Sequence, residues 1–80
     1  MPKSRVLSSK DILAMLEKHG FVFAAQKGSH IKLRGEVDGI RQTLTIPMHS
    51  ELDRGTTAAI YRQASRFVPE TELRKFFFSE

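Results

Sequence analysis

The sequence predicts a two-layer α+β domain. The order is helix, three antiparallel strands, helix and a short final helix, with the helices on one face of the sheet. Three observations carry this. Residues from Ser8 to Gly20 show the apolar spacing and both end signals of a helix. His30-Ile31-Lys32-Leu33-Arg34 alternates polar and apolar strictly, with a turn signal on either side. From Gly55 to about Arg66 the apolar spacing is helical again.

The first seven residues read as a loose lead-in. Ser8 is placed to cap the first helix and Asp11 stands at its third position, while Leu7 and Ile12 are spaced to close a hydrophobic staple across that cap. Ile12, Leu13 and Leu16 share the face expected to be buried; Lys10, Glu17 and Lys18 share the other. Gly20 suits the left-handed position that ends a helix. His19, in the last turn, reads as a structural residue at the negative end of the helix dipole.

Phe21 to Gln26 is the first strand, Lys27-Gly28-Ser29 a short turn, and His30 to Arg34 the second strand. Asp38-Gly39 is a two-residue hairpin signal, and Arg41 to Ile46 follows as the third strand, closed by Pro47. Folding about Asp38-Gly39 sets Leu33 opposite Leu44 and Ile31 opposite Ile46. Folding about Gly28 sets Phe23 opposite Leu33 and Ala25 opposite Ile31. Both turns then gather Phe21, Phe23, Ile31, Leu33, Val37, Ile40, Leu44 and Ile46 on one face, to be buried under the helices. Gln26, His30, Lys32, Arg34, Arg41, Thr43 and Thr45 are left on the other. In the second long helix Ile60, Ala64 and Phe67 form the apolar stripe. Pro69 suits the first position of the last helix, with Glu70 and Glu72 early and Arg74 and Lys75 late, as the helix dipole favours. Phe76-Phe77-Phe78 reads as a core edge, or else as a contact for a partner.

Eighty residues support one core, so residues 1–80 are expected to form one domain, its core about 7–67 and its short C-terminal helix about 69–78. With no cysteine, disulfides, thiolate zinc sites and cysteine nucleophiles are excluded. No run approaches the roughly 18 apolar residues of a membrane span, and the chain is expected to be soluble and cytoplasmic. Thirteen basic residues against nine acidic ones leave a formal charge of +4, which favours an anionic partner such as nucleic acid.

His30 offers an imidazole one strand position from Lys32 and two from Arg34 on the same face. A proton carrier beside cations is what phosphodiester cleavage needs: one group moves protons while the others balance charge on phosphate oxygens. The same alternation also describes an ordinary solvated strand face whose histidine has no task. His49, after Pro47, is the second candidate, as an acid/base partner, a phosphate ligand or a plain loop residue. His19, His30 and His49 lack the short spacing of a metal set, and neither a nucleophile elbow nor a phosphate-binding glycine loop is present. No metal and no cofactor is expected.

Five segments occur in order: Leu7-Ser8-Ser9-Lys10, Gly20-Phe21, Gln26-Lys27-Gly28-Ser29-His30, Ile46-Pro47-Met48-His49, and Gly55-Thr56-x-x-x-Ile60-x-Arg62-Gln63-Ala64. Together they resemble the HicA toxins of toxin–antitoxin pairs, from about Leu7 to Ala64 and weakly into the Pro69–Phe77 helix. The resemblance implies a double-stranded-RNA-binding-domain-like fold, cleavage of mRNA by a histidine-dependent ribonuclease, and inhibition by a HicB-like antitoxin. It maps the catalytic histidine onto His30 and a Pro-x-His segment onto Pro47 and His49. From the residues themselves, Lys27, Ser29, Lys32, Arg34 and Arg41 are the expected RNA and phosphate ligands and His49 a candidate acid/base partner. Many relatives carry a second histidine next to the first. Here that position is Ile31, which the strand register turns toward the core. A non-catalytic RNA-binding module, or a protein whose basic face serves only to bind a partner, would carry the same face.

Overall fold

The computed structural model describes residues 3–79. Met1, Pro2 and Glu80, at the ends of the expected domain, lie outside them. In chain order the elements are β1 (Lys3–Ser4), α1 (Ser9–Lys18), β2 (Val22–Lys27), β3 (His30–Val37), β4 (Ile40–Pro47), α2 (Arg54–Ala64), α3 (Glu70–Phe77) and β5 (Phe78–Ser79). Strands β2, β3 and β4 form an antiparallel sheet in that spatial order. This is the expected α+β arrangement, consistent with a double-stranded-RNA-binding-domain-like fold.

Local chemistry explains the first helix at both ends. The Ser8 side chain accepts the Asp11 N–H at 3.2 Å and the Asp11 carboxylate accepts the Ser8 N–H at 2.9 Å, a complete capping box. Leu7 and Ile12 are both buried beside it. At the other end Gly20 takes φ +90°, the Gly20 N–H donates to the Glu17 carbonyl and the Phe21 N–H to the Leu16 carbonyl. That paired closure turns Phe21 back onto the helix. Met15 is buried with Ile12 and Leu16, whereas Leu13 is only half-buried.

The β3–β4 register is the expected one: Leu33 faces Leu44 and Ile31 faces Ile46. Asp38 (φ +53°) and Gly39 (φ +79°) supply the two positive φ angles that a I′ turn requires. The β2–β3 register differs from expectation. The turn is Gly28-Ser29 alone, so Lys27 pairs with His30 and Gln26 with Ile31; a bulge at Ala24 then restores Phe23 opposite Leu33. The extra residue shifts the alternation of β2 by one. Gln26 therefore leaves the polar face and Lys27 joins it, while Ala25 pairs with Lys32 rather than Ile31.

The helices cover less of the sheet than its apolar pattern suggests. Phe21, Ile31, Leu33, Leu44 and Ile46 are buried, Val37 is half-buried, and Phe23 (60 %) and Ile40 (63 %) are exposed. Length accounts for this. An eight-residue strand spans about 27 Å, whereas helices of ten or eleven residues span about 15–16 Å. The hairpin tip and the β2 edge project beyond the helical layer.

Three further departures concern the ends of elements. The lead-in is not loose throughout, because Lys3 pairs with Ser79, Ser4 with Phe78, and the Arg5 N–H donates to the Phe77 carbonyl. Helix α2 begins one residue early, capped by Asp53, whose carboxylate accepts the Thr56 N–H at 2.7 Å. Pro69 is the cap of α3 rather than its first residue. The phenylalanine run is a core edge, with Phe77 buried between half-buried Phe76 and Phe78.

Gly35 lies on the covered side of β3, beneath Phe21. A Cβ at Gly35 would stand 3.0 Å from Phe21 Cδ2, 3.1 Å from its Cγ and 3.2 Å from the Gly20 carbonyl oxygen. The Phe21 ring is buried and tilted against Phe67, with centroids 5.6 Å apart, so it has little room to give. In an open strand Gly→Ala would gain roughly 0.5–1 kcal/mol. Here overpacking reverses the sign, and Gly35→Ala should lose about 1–3 kcal/mol. A lower urea midpoint at constant slope checks this; a raised midpoint would show that Phe21 yields.

Candidate nucleic-acid interface

The uncovered face of the sheet is built in rows. Lys27, His30 and Pro47 form the first; Ala25, Lys32 and Thr45 the second; Val22, Arg34 and Thr43 the third; Glu36 and Arg41 the fourth. Residues opposite one another in a ladder share a face, and rows on one face are about 7 Å apart. His30, Lys27, Lys32, Arg34, Thr43, Thr45 and Arg41 are all exposed. Directly behind them, Ile31, Leu33, Leu44 and Ile46 are buried under the helices. The face near His30 therefore stands on the best-packed part of the sheet.

The sequence candidates divide by distance. Lys27, Ser29, His30 and Lys32 are brought together within two rows of the Gly28 turn. Arg34 is one row further. Arg41 is about 20 Å along the strand from His30, opposite Glu36. It can hold a remote phosphate but not the one at His30. Ile31 points into the core, as its place in the alternation requires.

The turn that carries Ser29 and His30 is tied to the chain after β4. The Met48 N–H donates to the Ser29 carbonyl at 2.6 Å. One residue later, the His49 N–H donates to Ser9 Oγ at 2.6 Å and the His49 carbonyl accepts the Ser9 N–H at 3.0 Å. The Ser9 hydroxyl hydrogen has the Pro47 carbonyl at 2.5 Å and the His49 carbonyl at 2.9 Å as acceptors. Ser9 is 1 % exposed. Its single side chain joins the first turn of α1 to both ends of Pro47-Met48-His49, whose middle residue holds the His30 turn. Sequence reasoning missed this residue. Two adjacent serines open the helix, and only the cap role of Ser8 has a local signature; the partners of Ser9 are forty residues away.

His49 is exposed, with its backbone fixed by Ser9. Asp53 lies close enough to respond to it. The Thr56 N–H bond holds the Asp53 carboxyl below its ordinary value, with a lesser contribution from His49. Asp11 is likewise lowered, first by the Ser8 N–H in the capping box. His19 takes no part in this face: its Nε2 is 3.6 Å from Glu72 Oε2, linking α1 to α3. Among the described residues no three His, Asp or Glu side chains gather as a metal-binding group, and no helix is long and apolar enough to cross a membrane.

Chemically, the arrangement offers one imidazole with two lysines within a strand row of it, open to solvent on a rigid floor. That combination accepts an extended anionic chain and can move a proton at one point along it. A family model for the HicA toxin of bacterial toxin–antitoxin systems matches residues 9–65, from Ser9 through the C-cap of α2. Comparisons with curated proteins and with solved structures gave no match.

Removing the Ser9 hydroxyl leaves the His49 N–H without its acceptor and takes a donor from the Pro47 carbonyl, while the Ser9 N–H bond to the His49 carbonyl stays. Ser9→Ala should therefore cost about 1–3 kcal/mol, the range for an unsatisfied buried polar group. It should also speed hydrogen exchange at Met48 and His49 more than at Leu44. Uniform exchange across these amides would mean that Ser9 adds stability without holding the segment.

Proposed function

The chain belongs to the HicA toxin family of bacterial toxin–antitoxin systems, and from that premise we propose that it is a metal-independent endoribonuclease that cleaves mRNA on the open face of its sheet. The single observation that supports this most is the first row, where exposed His30 stands opposite Lys27 and beside Lys32. RNA carries its own nucleophile, the 2′-hydroxyl, so the protein has only to move protons and balance charge. In this scheme His30 takes the 2′-OH proton as that oxygen attacks phosphorus. The P–O5′ bond breaks, and the 5′ oxygen leaves as a hydroxyl after gaining a proton. His49, two residues past the partner of His30, is the candidate for supplying it. Lys27, Lys32 and the Ser29 hydroxyl hold the scissile phosphate; Arg34 and Arg41 hold phosphates further along. A HicB-like antitoxin laid over this strand would silence the toxin by denying RNA the face.

The products of this chemistry are a 2′,3′-cyclic phosphate, or the 3′-phosphate it hydrolyses to, and a free 5′-hydroxyl. His30→Ala should lower cleavage by about 10²–10⁴, the usual range for one general acid or base, with RNA binding kept. DNA should resist, and chelator should leave cleavage intact. Products ending in 5′-phosphate would make water the nucleophile and overturn the roles given to these residues. Wild-type protein that binds RNA without cutting it would instead be the non-catalytic binding module.

Binding gives a separate readout. Each phosphate neutralised on a single strand adds about 0.7 to the log–log salt slope. Lys32→Ala should flatten that slope by about 0.7, measured by fluorescence anisotropy with a labelled RNA oligonucleotide over a salt series. An unchanged slope would move the RNA path off this face.

A further inference from the structure

A second surface lies on the helical layer, where no residue of the three-stranded sheet takes part. Between the N-terminal segment and the flank of α2 is a cleft of about 260 Å³. Its wall and floor are apolar, made by Val6, Ala58, Tyr61, Phe77 and Phe78. Its rim carries three exposed arginines, Arg5, Arg54 and Arg62, and among the described residues no carboxylate lines it. We infer that this cleft is a docking groove for a protein segment that presents an apolar side chain flanked by carboxylates.

The groove is held in shape by its own bonds. Pairing of Lys3–Ser4 with Phe78–Ser79 and the Arg5 N–H bond to Phe77 clamp the N-terminal wall in place. That clamp leaves Val6 72 % exposed at the groove edge. Tyr61 packs edge-on against Phe77 (5.2 Å) and Phe78 (5.8 Å), which makes the aromatic floor rigid. Arg5 is oriented by the Phe76 carbonyl, 3.0 Å from one of its terminal nitrogens, and stands 5.8 Å from the Phe76 ring centroid.

Charge decides the occupant. Arg54, Ala58 and Arg62 form one row of α2, each four residues from the next, which sets the α-carbons of the two arginines about 12 Å apart along the axis with a small residue between. Among the described residues, no carboxylate is within ion-pair distance of Arg54 or Arg62. An apolar hollow between two unanswered cations fits a carboxylate, apolar, carboxylate pattern. A nucleic-acid strand would need cations along a polar track rather than at the rim of a carbon-lined hollow. The volume is also below the 300–1,000 Å³ typical of small-molecule pockets, and suits one or two side chains. Arg62 belongs to the Arg62-Gln63-Ala64 run of the family resemblance, yet only Ala64 of the three is buried.

The test is an amide-shift titration of the isotope-labelled full chain with the peptide acetyl-Asp-Glu-Leu-Phe-Glu-Asp-amide. At about 1 mM peptide the amides of Val6, Ala58, Tyr61 and Arg62 should shift. The charge-inverted peptide, with lysine at the four acidic positions, should leave them still. Arg54→Glu/Arg62→Glu should weaken binding about tenfold or more, and Ala58→Leu should do so by filling the groove without changing its charge. Arg54, Ala58 and Arg62 are all exposed, and an unchanged melting temperature checks the fold of each variant. Absence of groove shifts, shifts centred on Lys32 and Arg34, or equal binding of the two peptides would each overturn the proposal. So would a single-stranded RNA oligonucleotide that shifts the groove amides where the acidic peptide does not. Because His30 lies outside the groove, loss of ribonuclease activity in His30→Ala bears on the sheet face alone.

Discussion

The register of β3 against β4 is the constraint on which the rest of this structure depends. Once the Asp38-Gly39 turn pairs Val37 with Ile40, each residue of β3 is committed to one face. Ile31 and Leu33 must then enter the core with Ile46 and Leu44, and His30, Lys32 and Arg34 must face outward with Thr45 and Thr43. A slip of β3 by one residue would bury an imidazole and two cations and expose Ile31 and Leu33. The hydrophobic drive that folds the chain is thus the same force that displays its basic face. Nothing about that face has to be stabilised on its own account.

The second strand pairing tolerates what the first does not. Edge strand β2 meets β3 through a two-residue turn that shifts its register by one, and the bulge at Ala24 takes the shift back before Phe23. An edge strand has no second neighbour to enforce its alternation, so one unpaired residue costs it little. The consequence is chemical. Between the turn and the bulge the outward residue is Lys27 rather than Gln26, and a cation rather than an amide stands opposite His30.

Two short helices over a longer hairpin leave a choice of which end to cover. Ser9 bears on that choice by tying α1 to the chain leaving β4, next to the turn that holds His30. The covered end of the sheet is consequently the one that carries His30, and the hairpin tip with Ile40 projects uncovered. On the helical side the chain ends clamp each other and leave the arginine-rimmed groove along α2. The molecule so presents two basic surfaces of different character. One is an open polar strand face suited to an extended polyanion; the other is an apolar hollow with cations at its rim.

Much of this was written locally. The first helix, its capping box and its glycine closure follow from residues within five positions of each other. The I′ turn follows from Asp38-Gly39, and the outward direction of His30, Lys32 and Arg34 follows from strict alternation. Each of these is a short-range rule, and a short-range rule is complete in the sequence. What only the tertiary structure decided lies at long range. Expecting Phe23 and Ile40 to be buried overlooked how far the helices reach, which is a matter of relative length and docking. The pairing of Lys3–Ser4 with Phe78–Ser79 closes opposite ends of the chain, and no local pattern announces it. The work of Ser9 depends on a backbone forty residues away, so its neighbours in sequence carry no trace of it. Apolar alternation states which face of a strand is turned from water; only the packed chain states how much of that face there is enough protein to cover.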